Sequence, residues 1–279
     1  MGNVTEIKKD ISFHEDFSTL VEILKSLAIV RYYELTKRIK NFDFFHSVIK
    51  DFLNFLDLDI ISEHPFFSGK GKICIIAVTS EEGFLGGLNN RIISNSLDYL
   101  RGNSGKLIII GLQGQLLAKG LDIPFEKFPG IKEEKRFDQA LEMRDYIVRK
   151  VLSEKIGVVK VIYPYAHSLL LQTVGVTTLI PISEWFKQEK KINLEIIEES
   201  KTENMFEYLV FLFIGVKLWE IFGSSLLAEQ GARYVHLEES SDRIKEEIKK
   251  LKLKYFRARH EIIDQQMREL FSAQSVFRK

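Results

Sequence analysis

The chain has one cysteine and five prolines among its 279 residues. Cys74 alone can form neither an internal disulfide nor a CxxC metal site, which points to a reducing compartment. Its apolar surroundings, "KICIIAVT", make it a buried, inert thiol rather than a nucleophile. The histidines, His14, His46, His64, His167, His236 and His260, never pair at HxH or HxxxH spacing, so no zinc site is expected. No GxSxG nucleophile elbow occurs. Nor is charge of one sign in excess: 40 Lys plus Arg against 39 Asp plus Glu leave a net +1, which argues against a general polyanion binder.

Targeting signals are equally scarce. "MGNVTEIKKDISFHEDF" has neither the apolar centre of a signal peptide nor the Ser or Thr that myristoylation requires at the sixth position. The most apolar stretch, Met205 to Phe222, is interrupted by Glu207, Lys217 and Glu220. Its uncharged centre falls short of the ~20 residues of a membrane span. A soluble chain is expected, one able to sit on a membrane-bound partner.

Proline is missing from both ends of the chain, and long helix is what remains possible there. Val4 to about Leu58 also lacks glycine, and Phe13, Phe17, Leu20, Leu24 and Leu27 step by 4, 3, 4, 3, a heptad seam. Leu35, Ile39, Phe42, His46, Ile49, Leu53 and Leu56 resume that alternation before "EHP" and "SGKG" end the block. The last block, Glu203 to about Ser272, carries two rows. Ile244, Ile248, Leu251, Tyr255, Ala258 and Ile262 form one; Leu253, Phe256, His260, Ile263, Met267 and Leu270 form the other. Two rows mean a helix covered over much of its circumference, or one that meets several surfaces. A helix of about 65 to 70 residues would be roughly 100 Å long, more than one domain needs for its own core. An antiparallel coiled coil of the two ends is expected, its shaft projecting from what lies between them.

What lies between, about 70 to 197, reads differently. "KICIIAVT", "KLIIIGL" and "VVKVIYP" are short, β-branched and bounded by Gly, Pro or Ser, as buried strands are. Helical patterns near Leu88–Leu100, Gln113–Ala118 and Phe137–Ser153 separate them, which predicts an α/β layer on a parallel sheet. "LLLQTVGVTTLIPI" adds strand near its C-terminal end, and "INLEII" is another candidate. The expected segments are 1–62 and 203–279 for the shaft and 70–197 for the α/β domain.

The glycine cluster Gly83, Gly86, Gly87 follows the first strand, where nucleotide sites often begin. It matches neither GxGxxG nor the P-loop, and no lysine follows to reach a phosphate. Backbone amides at a helix start could hold an anion; a tight strand-to-helix turn is the plainer reading. "IGLQG", Ile110 to Gly114, stands in the same position after the next strand. From Asp242 to Lys279 there are eleven Lys or Arg and six Asp or Glu. This local surplus suits a solvated face or the acidic loops of a partner. Without an aromatic stacking platform it does not suit nucleic acid.

These motifs together resemble the gamma subunit of F-type ATP synthases. Its glycine turn, approximately S-D-R-G-L-C-G-G-x-N, is matched by Ser80, Gly83, Gly86, Gly87 and Asn89, and its I-G-x-K-G by "IGLQG", with Gln113 replacing Lys. Its L-A-S-E-H-A-A-R-M and Y-N-x-A-R-Q-A-x-I-T-Q-E-L segments are matched without a gap at Glu229, Ala232, Arg233, Tyr255, Ala258, Arg259, Ile263, Gln265 and Glu269. The resemblance implies a Rossmann-like central domain, no catalytic residues, no cofactor and no metal. Its implied partners are the alpha and beta subunits of a catalytic hexamer, the epsilon subunit and the membrane c-ring, at the cytoplasmic face of the cell inner membrane. Catalytic-subunit contacts would fall at Arg259, His260 and Asp264, where the family has Arg, Gln and Thr, and the c-ring end at Glu199. Departures are Glu22, where the family has Lys, and the apolar "VFLFIGV" before the L-A-S-E segment. Two rival readings are a stand-alone nucleotide-binding α/β enzyme with a helical-hairpin appendage and a coiled-coil scaffold outside any ATPase.

Overall fold

A computed structural model describes residues 2–39, 42–56, 58–102, 104–154, 156–185 and 200–276. The elements run α1 (Gly2–Arg38), α2 (Asp43–Asn54), α3 (Leu58–Ile61), α4 (Pro65–Ser68), β1 (Lys72–Val78), α5 (Leu88–Leu100), β2 (Gly105–Ile110) and α6 (Leu112–Gly120). They continue with β3 (Glu126–Phe128), α7 (Arg136–Glu154), β4 (Ile156–Ala166), β5 (Gln172–Ile180) and α8 (Thr202–Val276). Two compact units result, 29–233 and a helical pairing of 1–28 with 234–279.

The larger unit is built on one sheet of order β3-β2-β1-β4-β5. β1 lies parallel to both β2 and β4, and β2 parallel to β3. The parallel sheet is thus as expected except at β5, which pairs antiparallel with β4. The connection 167–171 is too short for a crossover, so the chain can only turn back as a hairpin. β3 went unread in the sequence, being three residues between two prolines. "INLEII" lies outside the described residues.

Alternation along the strands feeds two apolar layers. Ile75, Ala77, Leu107 and Ile109 point to α5 and α6, meeting Leu88, Ile92, Ile93 and Ala118. Cys74, Ile76, Val78, Ile108 and Ile110 point the other way, to Ala140, Met143, Ile147 and Val151 of α7. The first turns of α8 complete that layer with Phe206, Val210, Phe213, Ile214, Leu218 and Phe222. The apolar stretch that departs from the family pattern is therefore core, buried against a sheet. With α5 and α6 on one face and α7 on the other, the sheet is doubly wound, and its switch point falls between β1 and β4.

The N-terminal block is not one helix. α1 ends at Arg38, and α2 begins afresh after Phe42. Ile49, Leu53 and Leu56 belong to the core of the sheet rather than to a shaft. A 3-4 alternation marks any amphipathic helix and does not say what covers it.

In the helical unit the pairing is antiparallel, since α1 positions rise as their α8 partners fall. Glu15 meets Lys252 at 2.7 Å, Glu22 meets Lys245 at 2.9 Å and Lys25 meets Glu238 at 2.8 Å. On α8 the first row is the seam: Ile244 is buried and Ile248, Leu251, Tyr255, Ala258 and Ile262 are half-buried, while the second row is exposed throughout. On α1 the expected seam is displaced. The less exposed positions are Val4, Ile7, Ile11, His14, Ser18, Val21, Lys25 and Ala28, whereas Phe13, Phe17, Leu20 and Leu27 face outward. Only Leu24 of the expected set packs on the seam cluster of Val21, Leu237 and Ile244. α1 carries two heptad stripes, and the one with smaller and polar side chains lies against α8.

Candidate functional site

In a doubly wound sheet a ligand would sit beyond the C-terminal ends of the strands at the switch point. Here that edge is filled by the protein's own side chains. Thr79 Oγ1 donates to the Ile110 carbonyl at 2.6 Å and accepts the Gly114 N–H at 3.1 Å. The Ser80 N–H donates to Asn89 Oδ1 at 3.2 Å, and Asn89 Nδ2 donates to Ser80 Oγ at 2.9 Å. Ser80 Oγ in turn donates to the Glu82 carbonyl at 2.6 Å. Both side chains are buried. Ser80 and Asn89 thus clasp the two ends of the glycine turn.

The glycines between them are not equivalent. Gly86 has φ 58, a left-handed conformation that favours glycine, but so does Phe84 at φ 64. A side chain at Gly83 or Gly87 would meet open space. In "IGLQG", Gly111 has φ 95 and a side chain there would run into the Thr79 carbonyl. Both turns are places where backbone is reversed or closely approached.

At the start of α6, an amide that might have held a phosphate is occupied. Glu81 Oε2 accepts the N–H of Leu112, the first residue of α6, at 3.2 Å and that of Gly130 at 3.1 Å. A carboxylate at a helix N-terminus satisfies donors and dipole as an anionic ligand would. Glu82 and Glu229 add negative charge nearby. Arg233 Nη2 reaches Glu82 Oε2 at 3.3 Å. Burial pushes the Glu229 carboxyl up to about 7; Arg233 opposes that rise, while Glu82 and Glu81 add to it. A phosphate arriving here would have to displace Glu81 and face two further carboxylates. Cys74 offers no nucleophile either, since burial pushes its thiol up to about 12.

The remaining candidates lie on the helical unit. Arg259, His260 and Asp264 are exposed on α8, off the row that faces α1. Their exposed apolar neighbours include Phe256, Ile263 and Met267. Phe13 and Phe17 of α1, stacked with centroids 6.3 Å apart and planes 8° apart, are outward-facing residues that the sequence pattern assigned to the seam. Glu199 lies outside the described residues. Among the described residues no group of three His, Cys, Asp or Glu could hold a metal ion.

A family model described as ATP synthase matches residues 3–276. The ATP synthase gamma chain of Fusobacterium nucleatum is 25% identical over 290 residues, covering 99% of this chain and 100% of its own. That of Chlorobaculum tepidum is 26% identical over 231 residues, covering 78% of this chain and 79% of its own. Among solved structures, a chain of the Euglena gracilis mitochondrial ATP synthase superposes with a TM-score of 0.71 at 14% identity, covering 99% of this chain and 95% of that one. A chain of the Tetrahymena thermophila central stalk and c-ring gives 0.61 at 17% identity, covering 80% and 99%. The chain thus consists of a doubly wound α/β unit and an antiparallel helical pairing whose second row is exposed, the parts of a stalk-type subunit. The chain belongs to the ATP synthase family, as a gamma-type central-stalk subunit of the rotary enzyme.

Proposed function

We propose that this chain is the shaft that carries torque between a membrane c-ring and a catalytic hexamer of alpha and beta subunits. The epsilon subunit stands beside its foot, on the cytoplasmic face of the cell inner membrane. The supporting observation is the second row of α8. Leu253, Phe256, His260, Ile263, Met267 and Leu270 keep helical register yet face away from α1, as a shaft that meets partners requires. On this reading Arg259, His260 and Asp264 contact the catalytic subunits, and Glu199 lies at the c-ring end. Arg259 offers a planar fork for a partner carboxylate. Coupling follows when each angle of the shaft favours a different conformation of the hexamer, by contacts that differ between open and closed catalytic subunits.

The test is reconstitution with alpha and beta chains. One copy per three catalytic pairs is expected. A chain that stays monomeric beside an assembled hexamer would overturn the proposal. Calorimetry of the isolated chain with nucleotides decides the rival enzyme reading. Micromolar binding abolished by changes at Gly83–Gly87 would favour an enzyme, and the placement of Glu81 argues for none.

A further inference from the structure

Glu229 is the most deeply placed carboxyl of the glycine-turn cluster. It and Arg233 stand one helical turn apart on the same face of α8, with 7% and 9% of their surfaces exposed. Between them Ala232 packs into the apolar layer that holds Leu85 and Leu88, so this face of α8 and the glycine turn share a core. The charges of Arg233, Glu82 and Glu81 all act on the Glu229 carboxyl. Glu81 is held by the Leu112 and Gly130 amides. Glu82, with 71% of its side chain exposed, has Arg233 at 3.3 Å.

We infer that Glu229 is a proton-operated latch on the glycine turn. Protonated, it leaves Arg233 to Glu82, and residues 81–87 are fastened to α8. Ionised, it draws Arg233 off the solvent-screened Glu82, because a charge in the interior gains more from that partner than one at the surface. The turn then loses its tie to α8 and keeps the Ser80–Asn89 bonds, the Glu81 bonds to the Leu112 and Gly130 amides and the packing of Leu85. The charged groups facing Glu229 are Arg233 from its own helix and Glu81 and Glu82 from the turn. The β4–β5 hairpin meets this stretch at Gly231 with the Gln172 amide, a neutral group. Desolvation, opposed by Arg233 and aided by Glu82 and Glu81, holds the carboxyl up to about 7, so the latch turns over near neutrality.

The experiment follows amide hydrogen exchange of residues 81–88 in the full chain between about pH 5.5 and about pH 8.5, corrected for intrinsic exchange. Protection is expected to fall about 3- to 10-fold as Glu229 ionises. In Glu229→Gln it should stay flat at the acid-side value. In Glu82→Gln, a surface change that leaves the core intact, the turn should be loose at every pH. The Glu229 carboxyl, followed by carbon NMR, should then titrate lower, with one negative neighbour fewer and Arg233 free to turn to it. A step that persists in Glu229→Gln, or a Glu229 carboxyl titrating as an ordinary glutamate, would overturn the inference.

Discussion

Ser241 of α8 donates a 2.7 Å hydrogen bond to Glu22 of α1, across the seam of the helical pairing. Glu22 also meets Lys25 at 2.6 Å and Lys245 at 2.9 Å, and Lys25 goes on to Glu238 at 2.8 Å. This accounts for a glutamate where the family pattern has lysine: the position lies between two lysines and a hydroxyl. Glu22→Lys would set a third cation among them, and we expect it to weaken the pairing by about 1 kcal/mol. The Glu22→Lys, Lys245→Glu double variant should recover part of the loss in denaturant titration. Equal loss in both variants would show that the network is incidental.

The same network sets an acid limb. The hydrogen bonds from Lys25, then Lys245, then Ser241 hold the Glu22 carboxyl down to about 2, below its ordinary 4.5. A depressed folded-state value stabilises above the unfolded value and is lost as pH falls through it. The contribution is therefore complete above about pH 4.5 and fades between there and about 2. With 38% of the side chain exposed, solvent screening limits it to roughly 1 kcal/mol or less. Glu22→Gln should flatten the stability profile in that window, as read by thermal melts at stepped pH. An unchanged acid limb would remove Glu22 from the account.

Asn89→Ala tests the clasp of the glycine turn. It removes both bonds to Ser80 and leaves the buried Ser80 N–H without its acceptor, while the hydroxyl keeps the Glu82 carbonyl. The expected cost is about 1–3 kcal/mol. Gly83→Ala, where a side chain would meet open space, should cost far less. If the two variants melt alike, the glycines rather than the Ser80–Asn89 pair hold the turn.

These contrasts mark how far the sequence could be read. The strands and crossover helices of the α/β unit were legible because burial on both faces writes continuous β-branched runs, as in Lys72–Val78 and Gly105–Ile110. Both rows of α8 were legible as rows, but their spacing alone did not say which one faces α1, since both are apolar and in helical register. α1 misled because Phe13, Phe17, Leu20 and Leu27 are larger than Ser18, Val21 and Ala28, and size alone assigned them to the seam. At the turn, Ser80, Asn89 and the glycines could be matched as a motif. Glu81 could not be read as the acceptor of the Leu112 amide at the start of α6, because that bond joins residues 31 positions apart.

Arg259 separates coupling from folding. Its side chain is exposed on α8, one position beyond Ala258 and three before Ile262, both of which face α1. Arg259→Ala should therefore cost roughly 0–1 kcal/mol of stability. In the reconstituted enzyme it should lower torque or coupled ATP synthesis several-fold while ATP hydrolysis persists. Ile262→Ala makes the opposite prediction, because it thins a half-buried contact of the pairing. It should lower the melting temperature first, with coupling lost only as the shaft loosens. Stability of the isolated chain and coupling in the assembled enzyme, measured for both variants, give a two-way comparison. Arg259 acts at a partner surface if its deficit appears only in the assembly. If Arg259→Ala loses stability and coupling in the same proportion as Ile262→Ala, its side chain serves the helix pair and the proposed contact with the catalytic subunits is wrong.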